Sequence, residues 1–251
     1  GGPFLELLGY GTERVEAEVR RLFPLARVAR LDRDTSRRRG AAADLLARFG
    51  DGDLDILVGT QMIAKGHDFP RVTLVGVISA DVGLGMADFR AAERTFQLLT
   101  QVAGRAGRGS AAGEAIIQTV FPGHYSIELA CRQDYPAFFE RELGFRRAMR
   151  YPPVVALING VVRASSDREA MSAAGDLADR IRAFGNHKAF QVLGPAPAPL
   201  ARLRGEHRAQ FFVKGQPAAR AAMRTAVVAA LRERPDLRRK TTIDVDPLNI
   251  L

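Results

Sequence analysis

The sequence predicts an α/β protein of two parts, a parallel sheet with helices followed by a ferredoxin-like β-α-β-β-α-β domain. Short apolar runs alternate with helical patterns through residues 12–119, which is typical of a parallel sheet. From residue 154 to 245 the order is strand, helix, two strands, helix, strand, which is that of a split βαβ domain. Tyr151-Pro152-Pro153 breaks the helical pattern before that region. We place the linker near 120–126, with domains at 1–123 and 124–251.

The first half contains four predicted strands and three predicted helices. Asp55–Gly59 and Thr73–Ser79 are apolar runs without alternation, so we expect both strands to be buried on both faces. Thr12 can cap the first helix, and Gly50-Asp51-Gly52 ends the second. The helices are predicted at Thr12–Phe23, Ala41–Phe49 and Asp88–Val102, the strands at Ala26–Leu31, Asp55–Gly59, Thr73–Ser79 and Glu114–Thr119, and a polar loop at Asp32–Arg39.

The second half begins with residues 124–150, which are predicted as one aromatic-rich helix. The Pro- and Ala-rich segment Gly194–Gly205 is predicted as a loop. The other predicted elements are strands at Val154–Ala164, Phe190–Leu193, Ala209–Lys214 and Thr241–Val245 and helices at Asp167–Phe184 and Pro217–Glu233.

The composition excludes several classes of protein. Apolar residues make up 47% and charged residues 26% of the chain, close to the globular average, so wholesale disorder is excluded. No apolar run approaches the roughly 18 residues of a membrane span. The single cysteine, Cys131, excludes an internal disulfide framework and a cysteine-rich zinc site in this chain. We therefore expect no membrane contact and a reducing, cytoplasmic compartment.

The positive charge is concentrated in the second half. The formal net charge is +9, yet residues 1–124 hold 16 Lys and Arg against 15 Asp and Glu, whereas residues 125–251 hold 21 against 13. A GC-rich genome explains why 33 of the basic residues are Arg and only 4 are Lys. It does not explain the asymmetry, which favours a polyanion such as nucleic acid as partner of the second half.

The most informative motif is Gln101-Val-Ala-Gly104-Arg105-Ala-Gly107-Arg108, which follows a predicted helix. Its spacing places two guanidinium groups three residues apart, and its glycines let the backbone approach a ligand. Two such groups suit the charge that develops on a γ-phosphate during transfer. The alternative is an ordinary helix C-terminus, where Gly ends the helix and Arg offsets the dipole.

A second motif, Val58–Pro70 (VGTQMIAKGHDFP), follows a predicted strand. Open α/β sheets bind ligands at the carboxyl ends of their strands. Thr60 and Gln61 offer hydrogen-bonding groups there, and Gly66 and Asp68 are candidates to meet a ribose or phosphate. The alternative is an ordinary polar loop.

Together, the two segments resemble motifs V and VI in the second motor lobe of superfamily 2 helicases. Four stretches, in order along the chain, resemble the PriA family of bacterial replication-restart helicases, the primosomal proteins N′. They are GTERVEAEVRRLF (Gly11–Phe23), DFRAAERTFQLLTQVAGRAGR (Asp88–Arg108), LGPAPAPLARLRG (Leu193–Gly205) and DVDP (Asp244–Pro247). The resemblance implies a RecA-like helicase lobe 2, incomplete at its N-terminus, and then a ferredoxin-like domain similar to ribosomal protein S10.

The resemblance also implies roles for individual residues. Arg105 and Arg108 would be an arginine-finger pair that reaches the nucleotide held by the other lobe. Thr60 and Gln61 would couple the lobe to the tracked DNA strand. The nucleotide side of the cleft would be lined by Gly66, Asp68, Gln101 and Gly104.

For the basic half, the resemblance implies contact with branched and single-stranded DNA, the acidic tail of single-strand DNA-binding protein and primosome loading proteins at the nucleoid. Arg202, Arg204 and Arg208 follow the Pro/Ala segment and are candidates for DNA or peptide contact, with a solvated face as the alternative. Arg220 and Arg224 are four residues apart on a predicted helix, share a face, and are weaker candidates for the acidic tail.

The chain departs from the family pattern in several ways. The first residues are Gly1-Gly2 and an expected upstream strand is absent, so we expect a fragment. No G-x-x-x-x-G-K-[ST] phosphate loop, no acidic metal box and none of the family's zinc-binding cysteines occur in this sequence. ATP and Mg²⁺ would be held mainly by the missing first lobe and zinc by the missing upstream region, so we expect this chain alone to be inactive and assign it no metal ligands.

The resulting hypothesis is the C-terminal part of an ATP-dependent 3′→5′ DNA helicase that acts at stalled forks. Two alternatives remain open from the sequence. One is another superfamily 2 motor, such as a fork-remodelling enzyme or a restriction subunit. The other is a DNA- and partner-binding platform whose longer parent has a decayed motor.

Overall fold

The computed structural model describes residues 11–32, 34–35, 40–61, 63, 69–106, 112–184 and 189–250. The chain divides into two compact units, the first ending at Phe139 and the second beginning at Glu140, with Ala87–Arg90 belonging to the second. The domain boundary at residues 123 and 124 stays a prediction, while the compact units divide later along the chain.

The first unit contains two parallel strand pairs and their helices. Strand β1 pairs with β2, and β3 pairs with β4, both in parallel register, as the alternating pattern predicts. The helices are α1 (Thr12–Leu22), α2 (Ala41–Asp51), α3 (Ala91–Ala103) and α4 (Tyr125–Cys131), and the strands are β1 (Val28–Leu31), β2 (Ile56–Gly59), β3 (Leu74–Val77) and β4 (Glu114–Ile117).

The predicted burial of both strand faces is wrong for β3, which pairs with β4. Val77 and Ile117 pack against the core around Phe96 of α3. The alternate side chains, Leu74 and Ile116, are 57% and 55% exposed. In β2, likewise, only Val58 is buried. An apolar run predicts that both faces of a strand are buried. Within the described part of the first unit, however, α3 packs on only one face of the β3–β4 pair.

The predicted single helix at 124–150 is two helices, α4 and α5 (Tyr135–Met149). The break has a local cause. Gln133 adopts a left-handed conformation with φ of 54°, and the Asp134 carboxylate accepts a hydrogen bond from the Ala137 N–H at 3.0 Å. Asp134 thus caps α5. The second residue of this helix, Pro136, has no N–H group, so it leaves no donor without a partner in the first turn.

The second unit is the predicted ferredoxin-like domain. Its four antiparallel strands follow the order β6-β7-β5-β8, the arrangement of a split βαβ sheet. Helices α6 and α7 pack on one face, where they meet Ile158, Val162 and Phe211 in the core. Besides α5, the elements are β5 (Ala156–Ala164), α6 (Asp167–Phe184), β6 (Phe190–Leu203), β7 (Glu206–Gly215), α7 (Arg220–Glu233), α8 (Pro235–Arg238) and β8 (Thr241–Val245). None of the helices described in either unit is long and apolar enough to cross a membrane.

The predicted loop at Gly194–Gly205 is wrong, because β6 continues through it to Leu203. β6 lies at the edge of the sheet, and the outer side of an edge strand has no neighbouring strand to pair with. A proline whose missing N–H group would point to that side therefore removes no hydrogen bond from the sheet. The register with β7 shifts between Leu193 and Ala196 and again between Pro197 and Arg202, as bulges do in an edge strand. The Pro-rich composition therefore marks an edge strand rather than a loop.

Candidate nucleotide and nucleic-acid sites

Thr60 and Gln61 lie directly after the carboxyl end of β2, and both are exposed. The Thr60 carbonyl accepts a hydrogen bond from the Ile63 N–H at 3.1 Å, which turns the chain as it leaves the strand. In the parallel register Gly59 pairs with Leu31, so the residues that follow β1 and β2 lie at the same sheet edge. This is where an open α/β sheet presents ligand-binding groups.

Gly59 is required at this edge by close packing. A Cβ on Gly59 would lie 2.3 Å from the Leu31 carbonyl oxygen and 2.4 Å from the Ile63 Cδ1 atom. Because backbone atoms cannot yield as a flexible side chain can, the turn that presents Thr60 depends on a glycine here.

Asp32, which follows β1 at the same edge, was not singled out by the sequence. Its carboxylate accepts hydrogen bonds from the Thr12 hydroxyl at 2.7 Å and from the N–H groups of Thr35 at 2.9 Å and Asp34 at 3.0 Å. These bonds, with the Thr35 N–H contributing most, hold the pKa of Asp32 well below its usual range. Arg30 adds an ion pair at 3.3 Å. The sequence could have indicated this role, because an Asp-x-Asp-Thr segment favours a turn in which the first Asp carboxylate accepts hydrogen bonds from the backbone N–H groups that follow.

Gln101, Gly104 and Arg105 lie where α3 ends. The N–H of Gly104 donates to the Thr100 carbonyl at 3.0 Å, and the N–H of Arg105 donates to the Val102 carbonyl at 3.0 Å, so the last turn tightens. Phe96 anchors α3 in the core while Gln101 is exposed and Arg105 is half-buried. The helix thus presents this motif at the end of a packed element.

The remaining predicted nucleotide-side residues, Gly66, Asp68 and Arg108, lie outside the described residues. The described candidates belong to two parts of the first unit: Thr60 and Gln61 follow the β1–β2 pair, whereas α3 packs on the β3–β4 pair.

Asp81 is a second residue that the sequence did not single out. It follows β3 in a short 3-10 turn, and its carboxylate accepts hydrogen bonds from the Thr119 hydroxyl and, at 3.0 Å, from the Val120 N–H. Burial raises the pKa of Asp81, but these hydrogen bonds outweigh it and leave the pKa below its ordinary value. Asp81 therefore joins the carboxyl ends of β3 and β4.

The five basic candidates of the second unit separate into two groups. Arg202, Arg204 and Arg208 lie at the β6–β7 hairpin, where Arg204 and Gly205 form the turn with φ of 52° and 86°. Both central residues are left-handed, as a two-residue type I′ turn requires. Arg163 was not predicted as part of this group, yet it is the cross-strand partner of Arg208. The sequence could have indicated this, because Asn159, Val161 and Arg163 occupy alternate positions of β5 and therefore share one face of the sheet.

Arg220 and Arg224 form the other group, on the first two turns of α7. Both are exposed, and the Arg220 Nε atom lies 2.8 Å from the Asp246 carboxylate. Asp246 belongs to the DVDP segment, so this ion pair fixes the end of β8 against the start of α7. Because α7 covers the opposite sheet face from Arg163 and Arg208, Arg220 and Arg224 form a separate surface from these two arginines. Arg202 does not share the face of Arg208, because it pairs with His207, which alternates with Arg208 along β7.

Two protein families match this chain. The helicase conserved C-terminal domain family matches residues 11–110, and the primosomal protein N C-terminal domain family matches residues 147–248. The first range contains every predicted nucleotide-side and coupling residue, and the second contains every residue of the basic groups.

Curated relatives of this chain include several that are named replication restart protein PriA. The protein of Bacillus subtilis is 48% identical over 210 residues, which cover 84% of this chain and 26% of the relative. That of Synechocystis is 42% identical over 215 residues, covering 84% of this chain and 25% of the relative. That of Haemophilus influenzae is 38% identical over 255 residues, covering 100% of this chain and 34% of the relative. The chain therefore spans about a quarter to a third of the length of these relatives.

Proposed function

The chain belongs to the replication restart protein PriA family, and we propose that it supplies the second motor lobe and a DNA- and partner-binding domain to an ATP-dependent 3′→5′ DNA helicase of the primosome. The observation that carries the motor assignment is the end of α3, which presents Gln101, Gly104 and Arg105 in the range that matches the helicase C-terminal family. The helicase activity is that of a longer protein, which would work on DNA at the nucleoid in the bacterial cytoplasm.

In this proposal Arg105 and Arg108 donate hydrogen bonds to the γ-phosphate oxygens, whose negative charge has to be stabilised during phosphoryl transfer. Arginine suits this role because its planar guanidinium is always charged and presents several N–H groups toward one anion. Gln101 and Gly104, with Gly66 and Asp68, line the same side of the cleft, and the packing of α3 fixes the position of its end. Closure of the cleft would bring the arginines to the phosphate only at the moment of hydrolysis.

The described residues fit one part of an ATP site. Arg105 fits contact with a phosphate, since it is a half-buried cation at the end of a packed helix. Among the residues that the structure describes, no group of three or more His, Cys, Asp or Glu side chains comes together to hold a metal ion. In this proposal Mg²⁺ and zinc are held by other parts of the longer protein, as the resemblance to the family implies.

Thr60 and Gln61 are proposed to couple the lobe to the tracked strand, because they are exposed at the carboxyl edge of β1 and β2. The second unit is proposed to bind branched and single-stranded DNA through Arg202, Arg204 and Arg208. Arg220 and Arg224 are proposed to receive the acidic tail of single-strand DNA-binding protein, and the same unit is proposed to meet primosome loading proteins. The excess of positive charge in residues 125–251 supports these assignments.

The deciding experiment measures DNA-stimulated ATP hydrolysis by a longer protein that contains this chain and an intact first lobe. Arg105→Ala should lower kcat on the order of 10³-fold or more while DNA affinity hardly changes. Arg48→Ala, which removes an equal charge from the exposed face of α2, is the control and should leave both quantities unchanged.

Two results would change the assignment. If Arg105→Ala hydrolyses ATP normally but no longer binds DNA, the arginine faces the strand rather than the nucleotide. If the unsubstituted longer protein binds DNA and partners but hydrolyses no ATP, the chain belongs to a binding platform with a decayed motor.

A further inference from the structure

The sheet of the second unit carries a cavity of about 410 Å³ on the face opposite α6 and α7. Asn159, Val161 and Arg163 of β5 line it, and they alternate with Ile158, Gly160 and Val162, which face the helices. Ligand pockets are typically roughly 300–1,000 Å³ in volume, so the cavity has the size of a small-molecule or single-nucleotide site.

The inner part of this cavity offers hydrogen-bond acceptors. Asn159 is 5% exposed, and its Oδ1 atom has no hydrogen-bond partner among the residues that the structure describes. Asp244 lines the same cavity and is the cross-strand partner of Asn159 in β8, so its carboxylate lies beside that amide. A buried acceptor without a partner is unfavourable, and a ligand that brings an N–H group would relieve it.

The outer part of the cavity offers cations. Arg163 and Arg208 are directly opposite each other on β5 and β7, and like charges in such a pair destabilise a sheet. The Glu206 carboxylate is 3.7 Å from Arg163, and an Arg208 N–H donates to the Leu200 carbonyl at 3.3 Å. Arg204, at the hairpin turn, adds a third guanidinium to the lining. A bound anion would offset the repulsion between these arginines.

We propose that this cavity binds one unpaired nucleotide of single-stranded DNA, with its phosphate on Arg163, Arg204 and Arg208 and the amino edge of its base on Asn159 and Asp244. The apolar side chain of Val161 lies between these groups and contacts the face of the base. The inference rests on the proposed function, in which this unit binds DNA.

The acceptors in the cavity determine which base it prefers. Cytosine presents an exocyclic amine as a donor at the position where thymine presents a carbonyl oxygen. The Asp244 carboxylate can only accept hydrogen bonds, so a thymine carbonyl oxygen directed at it would leave two acceptors facing each other without a proton, whereas the Asn159 amide can present either its oxygen or its NH2 group to a base. The site therefore selects bases with an exocyclic amine and rejects thymine.

The test uses the complete 251-residue chain and two fluorescent oligonucleotides of equal length and charge, oligo-dC and oligo-dT, measured by anisotropy at several salt concentrations. Wild type should bind oligo-dC about five-fold more tightly than oligo-dT or better, as one hydrogen bond to a charged acceptor allows. Asp244→Ala, at an exposed position where folding is little affected, removes the group that can only accept and should abolish this preference. Asn159→Leu, similar in size but without polar atoms, should weaken binding of both oligonucleotides and leave the salt dependence unchanged.

The arginines that meet the phosphate have their own matched variants. Arg204→Ala combined with Arg208→Ala should weaken binding of both oligonucleotides. The log–log salt slope should fall by roughly 0.7 for each phosphate that the protein no longer neutralises. The control combines Arg168→Ala with Arg232→Ala, which removes the same charge from exposed positions of α6 and α7 on the other side of the sheet. This control should reduce binding much less.

The outcomes separate the inference from the function on which it rests. If the chain binds neither oligonucleotide at low salt, the proposed DNA-binding function of this unit fails. If it binds both equally well, or if Asp244→Ala keeps the preference for oligo-dC, DNA binding stands and the nucleotide cavity is wrong. If the Arg204 and Arg208 changes abolish binding of an acidic peptide but leave DNA binding intact, the cavity belongs to a peptide and the inference is overturned.

Discussion

The ring of Phe211 lies over Gly160, its cross-strand partner in the second unit. A Cβ on Gly160 would be 2.2 Å from the Phe211 Cζ atom, and Phe211 is 1% exposed. The glycine thus leaves room for an aromatic ring in the centre of the sheet, on the face that meets α6 and α7. The same strand places Asn159 and Val161 on the other face, so this packing also supports the walls of the proposed nucleotide cavity.

Gly160→Ala is therefore expected to destabilise the protein. The added methyl group would displace a buried ring, and overpacking of this kind costs about 1–3 kcal/mol in free energy of unfolding. Gly144→Ala is the control, because Gly144 is inside α5 with nothing within 4 Å of its added Cβ, and it should stabilise the helix by about 0.5–1 kcal/mol. Urea unfolding of both variants measures the difference. Equal stability of Gly160→Ala and wild type would show that Phe211 moves aside without cost.

The ion pair between Arg27 and Asp55 predicts a pH dependence of stability. The Arg27 side chain and its N–H donate to the Asp55 carboxylate and lower the pKa of Asp55 from 3.8 to about 2. Because the folded-state pKa is lowered, the stabilising contribution is complete above about pH 4 and is lost as the pH falls toward 2. Asp55→Asn should be less stable than wild type at neutral pH, and the difference should vanish at low pH.

Urea unfolding of wild type and Asp55→Asn from pH 7 to pH 2 checks this expectation. Other carboxylates titrate in both proteins, so only the difference between the two curves reports on Asp55. Asp53→Asn removes a charge from the same exposed loop and serves as the control. A stability difference that stays constant across the whole range would mean that the ion pair does not form in solution.

The 251-residue chain by itself is expected to hydrolyse no ATP. Its sequence contains no phosphate-loop motif, and in the proposed function Arg105 and Arg108 act on a nucleotide that another lobe would hold. The measurement is phosphate release with and without single-stranded DNA, compared with a preparation of Arg105→Ala purified in the same way. Hydrolysis by the wild-type chain that exceeds this control would show that the chain forms a complete nucleotide site.

An acidic peptide ending in Asp-Asp-Ile-Pro-Phe, like the tail of single-strand DNA-binding protein, is expected to bind the second unit near α7. Arg220→Glu combined with Arg224→Glu should weaken peptide binding more than DNA binding, because the peptide needs one local surface whereas DNA can use any basic region. The control, Arg238→Glu with Arg239→Glu, makes the same charge change at exposed residues near α8. Unchanged peptide affinity in the α7 variant would direct attention to Arg202–Arg208.

Much of the fold follows from local patterns. Helix α6 and strand β8 have the predicted bounds, and the strand order of the second unit is the predicted one. Periodicity and caps predict such elements because they depend on neighbours along the chain. The Pro-rich part of β6 was not predicted as a strand. A proline is compatible with a strand at the edge of a sheet, and the local sequence does not indicate which strands lie at the edge.

Residue types in a fixed order were sufficient to predict the family, the parallel α/β and ferredoxin-like architectures and the motif that begins at the end of α3. Which side chains meet became apparent from the folded chain. Arg163 joins Arg208 across two strands that are far apart in the chain, and the Asn159 Oδ1 atom, which has no hydrogen-bond partner in the part of the chain that the structure describes, lies beside Asp244 in the same sheet. Strand register sets these neighbours, and register is a property of the packed sheet rather than of any one segment.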